Sequence, residues 1–291
     1  MLAPTEALLL DRLTFGGAVS ALPTAAGIRR ARGRGAGVEF HEYRRYQAGD
    51  DPRTIDWTVE ARLRQLVVRV SRADGHLRLH VLVDTSGSMS AGTPTKLACA
   101  QRVAAALCYV ALERRDAAGV SAFRDRVDPV MPPAAGKAQL LKAFDLLSAL
   151  SPSGHSNINR ALEQYAAASR GPGLIAVLSD YFEPGAGITG LQSVLHRRLT
   201  PAVIQVLARE ELAPEIDAHT ELVDIEQPDG GTIVIDAAAV SGYRRRLGDQ
   251  EAALKAFCAS QGLPWARIVS DMSFSQVLAA LEDSGLLGMR V

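Results

Sequence analysis

The sequence has 291 residues, 47% of them hydrophobic, which is enough for one large domain with additions or for two small domains. Basic and acidic residues number 32 each, so the net charge is zero and no overall field favours nucleic acid or an anionic membrane. No run reaches the roughly 20 apolar residues that a membrane helix needs, and charged residues interrupt the first positions where a signal peptide would be apolar. We therefore expect a cytoplasmic protein without an integral membrane segment.

The first 76 residues are predicted to form an N-terminal helix, a basic connector at 31–37 and a β-rich block. Residues 29–72 contain eleven arginines, six acids and several aromatic side chains, a composition that raises the possibility of nucleic-acid binding. The acids alternate with the arginines, however, and this pattern favours internal ion pairs that fix a turn. We therefore expect a structural or protein-docking block and no nucleic-acid partner.

From residue 77 the sequence alternates between strand and helix patterns. Residues 77–84 have an unbroken apolar centre, which is typical of a strand that is covered on both faces. The predicted elements that follow are a helix at 96–116, a strand at 118–125, helices at 137–150 and 158–170, a strand at 173–180, a helix at 187–198, a strand at 202–209, a helix at 243–260, a strand at 265–271 and a helix at 273–283. The series predicts a Rossmann-like α/β domain over residues 77–291, with a doubly wound, mostly parallel sheet flanked by helices.

One segment interrupts this alternation. Residues 219–237 contain two strand-like runs around a Pro-Asp-Gly-Gly turn, which predicts an inserted antiparallel hairpin. We hypothesise that the hairpin packs with the β-rich N-terminal block as a small accessory β module.

The three cysteines, Cys99, Cys108 and Cys258, are predicted to be reduced core thiols. They are odd in number, lack the spacing of a metal site and lie in helical, partly buried patterns.

Acids and hydroxyls follow two of the apolar strands. Asp84 and Asp180 come at strand ends, and ligands of open α/β sheets bind at the carboxyl ends of the strands. The fold could bring these acids together with Ser86, Ser88 and Ser156. All five side chains offer hard oxygen donors, which suit Mg²⁺ or Mn²⁺. A loop that caps the next helix would explain one such residue but not acids at two strand ends.

The stretch Asp-Thr-Ser-Gly-Ser at 84–88, the hydroxyl of Ser156 and the Leu-Ser-Asp that ends at Asp180 resemble the metal-ion-dependent adhesion site of von Willebrand factor type A domains. The resemblance implies that the hydroxyls bind the ion directly or nearly so, and that the acids act largely through water. It also implies one coordination place left for an acidic residue of a partner. Ser156 stands where that family usually has threonine, which retains the hydroxyl.

Residues 37–69, which include Tyr-Gln-Ala-Gly-Asp-Asp-Pro-Arg-Thr-Ile-Asp-Trp, resemble the hallmark block of a bacterial family, domain of unknown function 58. Its members carry this block directly ahead of a von Willebrand type A domain, and the resemblance extends over residues 30–240. It implies a MoxR-type AAA+ ATPase as a partner.

Together these features predict a non-catalytic adaptor that binds a divalent cation and uses it to grip a carboxylate of a partner protein. The apolar-Asp-Thr-Ser-Gly pattern also occurs in aspartic proteases, but it lacks a second equivalent loop here. Phosphotransfer on Asp84 would require a second acid two residues on, and no Walker loop is present. A metal-dependent hydrolase, either phosphatase or peptidase, stays open as the alternative, because carboxylates beside a metal can activate water.

Overall fold

The structure is a computed structural model, and it describes residues 2–16, 23–24, 27–28, 40–45, 59, 62, 67–71, 76–183, 185, 187–214, 221–223, 232–234 and 237–290. The helices within these ranges are α1 (Pro4–Leu10), α2 (Lys96–Glu113), α3 (Lys137–Ala149), α4 (Ile158–Ala168), α5 (Ile188–His196), α6 (Arg209–Leu212), α7 (Ala237–Gln261) and α8 (Phe274–Asp283). The strands are β1 (Leu13–Phe15), β2 (Pro23–Thr24), β3 (Gly27–Ile28), β4 (Phe40–Arg45), β5 (Val67–Ser71), β6 (Arg78–Asp84), β7 (Ala117–Phe123), β8 (Val127–Ala134), β9 (Gly173–Ser179), β10 (Leu199–Leu207), β11 (Glu221–Val223), β12 (Thr232–Val234), β13 (Trp265–Val269) and β14 (Leu287–Met289).

A six-stranded sheet with the order β13-β10-β9-β6-β7-β8 forms the centre of the molecule. All neighbours are parallel except β8, which runs antiparallel to β7. From β6 the chain moves outward to β7 and β8, and then returns to the other side of β6 to form β9. The predicted doubly wound, mostly parallel sheet is therefore confirmed, and the strand order reverses between β6 and β9.

Helices cover both faces of this sheet, which is why the central strands are largely apolar. In β6, Val81 and Val83 belong to the core that contains residues of α1, α2, α3 and α8. Leu82 belongs to the opposite core, which contains residues of α4, α5 and α7. Because successive apolar residues of the strand meet opposite cores, the strand does not show polar alternation.

Strand β8 was not predicted from the sequence. It contains Pro129, Pro132 and Pro133, and proline lacks the N–H that an internal strand donates. The strand is tolerated because it lies at the edge of the sheet, where its pairing with β7 is irregular.

The start and the end of the described chain pair with each other. Strand β1 runs antiparallel to β14, and Leu10, Leu13 and Phe15 are buried in the same core as α2. The first described segment thus packs on the α/β unit. The domain boundary predicted after residue 76 stays a prediction, because most of residues 17–75 lie outside the described ranges.

Strands β11 and β12 pair antiparallel, in agreement with the predicted hairpin, and its Pro-Asp-Gly-Gly turn lies outside the described residues. Strands β4 and β5 also pair antiparallel, and most of the arginine-rich block between them lies outside the described residues. The packing of an accessory β module stays a hypothesis.

The three cysteines are free and buried, as predicted. Burial raises the pKa of the Cys108 thiol to about 12.

Within the described part of the chain, no helix has the length and apolar character needed to cross a bilayer.

Candidate functional site

The carboxyl ends of β6 and β9 bring the two predicted acids to the point where the strand order reverses. Val83 pairs with Leu178 in the register of the two strands, so Asp84 lies level with Ser179. Asp180 follows directly. Asp84 and Asp180 are both buried, with 0% and 4% of their surface exposed.

Asp84 is held by three hydrogen-bond donors. The backbone N–H of Ser86 donates to Oδ1 at 2.9 Å, an Asx-type turn that bends the chain away from the strand. The hydroxyls of Ser179 and Ser156 donate to Oδ2 at 2.6 and 3.3 Å. The carboxylate therefore has a fixed orientation.

Two backbone hydrogen bonds join the loop after β6 to the loop that carries Ser156. Gly87 N donates to Gly154 O, and Ser153 N donates to Thr85 O, both at 2.8 Å. These bonds explain how a serine about 70 residues away along the chain reaches Asp84.

Asp180 is held in a similar way. Phe182 N donates to Oδ1 at 3.1 Å, and the Ser88 hydroxyl donates to Oδ2 at 2.7 Å. Ser88 Oγ also lies 3.1 Å from Ser86 Oγ. All five predicted site residues are thus linked in one hydrogen-bonded network, in which Ser88 and Ser156 are half-buried and the other three are buried.

The residue after Asp180 has a strained backbone. Tyr181 is buried and has a φ of +57°, a region that bulky residues adopt at a cost. The Ser179 hydroxyl accepts from its N–H at 3.2 Å, and Gln250 of α7 donates to its carbonyl at 2.6 Å. Helix α7 therefore helps to fix the loop that presents Asp180.

The burial and the proximity of Asp84 and Asp180 disfavour a state in which both carboxylates are ionised without a compensating cation. Burial, and then the charge of Asp180, raise the pKa of Asp84 to about 7, although the hydrogen bonds from Ser179 and Ser86 act in the opposite direction. A buried acid with a raised pKa carries its charge at a cost unless a cation compensates it.

One compensating cation belongs to the protein. Lys96, the first residue of α2, is fully buried, and its Nζ lies 2.7 Å from Asp180 Oδ2 and 2.6 Å from Glu211 Oε1. Burial alone would lower the pKa of Lys96, but the two carboxylates raise it above its usual value. Burial raises the pKa of Glu211, and Lys96 opposes that shift.

Sequence reasoning missed Ser179, Lys96 and Glu211. One signal pointed to Lys96: a cation at the first position of a helix opposes the helix dipole, and only four of the 32 basic residues in this chain are lysines. Ser179 could have been found from the register, since β9 ends in a hydroxyl beside the acid. Glu211 lies on α6, a four-residue helix that is too short to show a helical periodicity in the sequence.

The donor set fits a hard divalent cation. It consists of carboxylate and hydroxyl oxygens, the ligand types that Mg²⁺ and Mn²⁺ prefer. The charged groups of the network are three carboxylates and one ammonium, with a net charge of minus two when all are ionised: Asp84, Asp180, Glu211 and Lys96. Among the described residues, no group of three or more His, Cys, Asp or Glu side chains is placed to hold a metal ion.

The fold and the site define an α/β protein with a polar, partly open cluster at the switch point of its sheet. The chain belongs to the family described as protein of unknown function DUF58, whose model matches residues 42–253. The resemblance to domain of unknown function 58 seen in the sequence is therefore confirmed.

Similar curated proteins include uncharacterized protein Rv1480 of Mycobacterium tuberculosis and uncharacterized protein Mb1516 of Mycobacterium bovis. Each is 28% identical over 209 residues, which make up 70% of this chain and 62% of the relative. The chain thus spans less than two thirds of the length of these relatives.

Among solved structures, the conserved hypothetical protein BatB from Bacteroides thetaiotaomicron is 16% identical, with a TM-score of 0.45, over 72% of this chain and 98% of that one. An aerotolerance-related membrane protein from Bacteroides fragilis is 17% identical, with a TM-score of 0.46, over the same shares.

Proposed function

We propose that this protein is a non-catalytic adaptor of the von Willebrand type A kind, which binds Mg²⁺ or Mn²⁺ at the switch point and grips a carboxylate of a partner protein. The observation that carries the proposal is the single network that joins Asp84, Ser86, Ser88, Ser156 and Asp180. When bound, the ion would supply an open coordination place for an oxygen ligand of the partner.

The side chains of the site have separable tasks in this proposal. The hydroxyls of Ser86 and Ser88 offer neutral oxygen ligands, which leave the ion with residual positive charge for an acidic group. Asp84 and Asp180 supply the negative charge that attracts the ion, and their hydrogen bonds to the protein keep them in place. The half-buried Ser88 and Ser156 lie on the accessible side, where a partner can approach.

The proposed partner is a MoxR-type AAA+ ATPase, and the proposed role is maturation or remodelling of other proteins. The family supports this partner only through the resemblance described above, and the site supports the kind of contact. A carboxylate that completes a metal shell provides specificity and is reversible by chelation, which suits an adaptor that must release its partner.

Binding of a purified MoxR-type AAA+ ATPase tests this function directly. Association is measured by biolayer interferometry without nucleotide, in Mg²⁺ and in EDTA, for wild type and Asp84→Asn. We expect binding in Mg²⁺ that is lost in EDTA and in the variant. The control is Asp128→Asn, which changes an exposed acid on the edge strand β8. Binding that persists in EDTA would contradict the proposal.

A further inference from the structure

Lys96 places a positive charge inside the candidate cation site. Its side chain has 0% of its surface exposed, it bridges Asp180 and Glu211, and its Nζ lies 4.8 Å from the centre of the Phe182 ring. A buried ion pair is weak grounds for stability, because desolvation of both charges offsets their attraction. The burial of this lysine therefore calls for a role other than stability alone.

The two carboxylates are positioned independently of the lysine. Asp180 accepts hydrogen bonds from Phe182 N and Ser88 Oγ, and Glu211 Oε2 accepts from Ala208 N at 2.7 Å. Since the acids have other donors that hold them, the distinctive contribution of Lys96 is its charge.

The charge of Lys96 determines whether the network is neutral or negative once a divalent cation is bound. The ionised network carries minus two, so a divalent ion brings it to zero. Without the ammonium, the loaded network would keep one negative charge. A negative site would repel an acidic partner group, because charges a few ångströms apart interact strongly where water is largely excluded.

We propose that Lys96 is the charge-balancing residue of this site: it makes the cation-loaded network neutral, so that an anionic partner group meets no net repulsion. The inference rests on the proposed function and assigns the preference for acidic partners to one residue. It has two opposite consequences. Removal of the lysine strengthens binding of the bare cation and weakens binding of a carboxylate to the loaded site.

A charge series of four proteins tests this role: wild type, Lys96→Met, Glu211→Gln and the double variant. Mn²⁺ affinity is measured by water-proton relaxation, and acetate is then titrated onto the Mn²⁺-loaded protein at constant ionic strength. We expect Mn²⁺ to bind about tenfold more tightly to Lys96→Met than to wild type and about tenfold more weakly to Glu211→Gln. Acetate affinity should follow the reverse order.

The double variant separates charge from shape. It loses one positive and one negative group, so both affinities should return to near the wild-type values. The matched control is Lys137→Met, because Lys137 is also the first residue of a helix but is exposed. It should bind Mn²⁺ and acetate as wild type does.

The possible failures are distinguishable. Equal affinities across folded members of the series would overturn the role of Lys96 and leave the proposed function intact, because wild type would still bind Mn²⁺ and acetate. Absence of Mn²⁺ binding in wild type would overturn both. If Lys96→Met does not fold, the Mn²⁺ affinity of Glu211→Gln is compared with that of wild type instead. An unchanged affinity in Glu211→Gln would overturn the inference.

Discussion

Strand β6 carries two buried polar side chains, His80 and Asp84, and they behave in opposite ways. His80 lies within the strand, where its Nδ1 is 2.8 Å from the Tyr165 hydroxyl. Burial, and then the charge of Arg78, lower its pKa to about 4, so the ring is neutral at pH 7. Burial raises the pKa of Asp84, yet a second acid and a lysine lie close by. Only the strand tip concentrates charged groups, and this is where we place the function.

The largest expected effect is a loss in the free energy of unfolding when the charged cluster loses Lys96, compared with the loss of a lysine on the surface. Lys96→Met leaves Asp180 and Glu211 without their shared cation, and loss of one partner of a buried ion pair costs about 3–5 kcal/mol. Chemical denaturation in EDTA measures this loss. Lys137→Met should change the free energy of unfolding by less than about 0.5 kcal/mol. A loss for Lys96→Met as small as that of the control would mean that the buried pair is not what the geometry indicates.

Asp84→Asn should stabilise the ion-free protein at high pH. The folded-state pKa of Asp84 is raised above its value in the unfolded chain, so the stability of wild type is greatest at low pH. It falls as pH rises from 3.8 and the loss is complete once pH has passed the folded-state pKa of about 7. At about 1.4 kcal/mol per pKa unit, the raised pKa corresponds to about 4 kcal/mol. The asparagine amide accepts fewer of the hydrogen bonds made to Asp84, so we expect the variant to be about 2 kcal/mol more stable than wild type at pH 8.

Denaturation in EDTA at pH 8 and pH 4 checks this prediction, and the advantage should disappear at pH 4. A variant that is less stable than wild type at pH 8 would show that the ionised carboxylate is favourable in the fold, contrary to the electrostatic account.

Tyr165→Phe tests the surroundings of His80, the polar residue of β6 that lies away from the strand tip. The change removes the hydroxyl that pairs with His80 Nδ1, and an unpaired buried polar group costs about 1–2 kcal/mol. Because this pair lies away from the strand tip, the stabilisation by Mg²⁺ should be unchanged. Thermal melts with and without the ion measure both quantities. A lost response to Mg²⁺ would show that the two ends of β6 are coupled.

Ser156→Thr should have the smallest effect. It adds one methyl group at a half-buried position and retains the hydroxyl, so the free energy of unfolding should change by less than about 0.5 kcal/mol. Ser156→Ala, in contrast, should weaken Mn²⁺ binding measured by titration. If both variants bound Mn²⁺ as wild type does, Ser156 would not belong to the cation site.

The sheet, and the proximity of the five candidate residues at its edge, were predictable because the signals of the strands and loops are local. An apolar run followed by an acid indicates a strand tip, and the alternation of strands and helices indicates where such tips meet. Lys96 and Glu211 could not be placed in the same way, since neither is at the end of an apolar strand: Lys96 begins α2, and Glu211 lies on the four-residue helix α6. Strand β8 was not predicted because its prolines are unfavourable in a strand, except at the edge of a sheet, and the sequence alone does not reveal that position.

A thermal melt in Mg²⁺ or Mn²⁺ against EDTA is the most direct test of the central claim, that the tips of β6 and β9 form a divalent-cation site. An ion at 100 times its Kd should raise the free energy of unfolding of wild type by about 2.7 kcal/mol. Asp84→Asn should show no such rise. An unchanged wild type, or an equal rise in Asp84→Asn, would contradict the account.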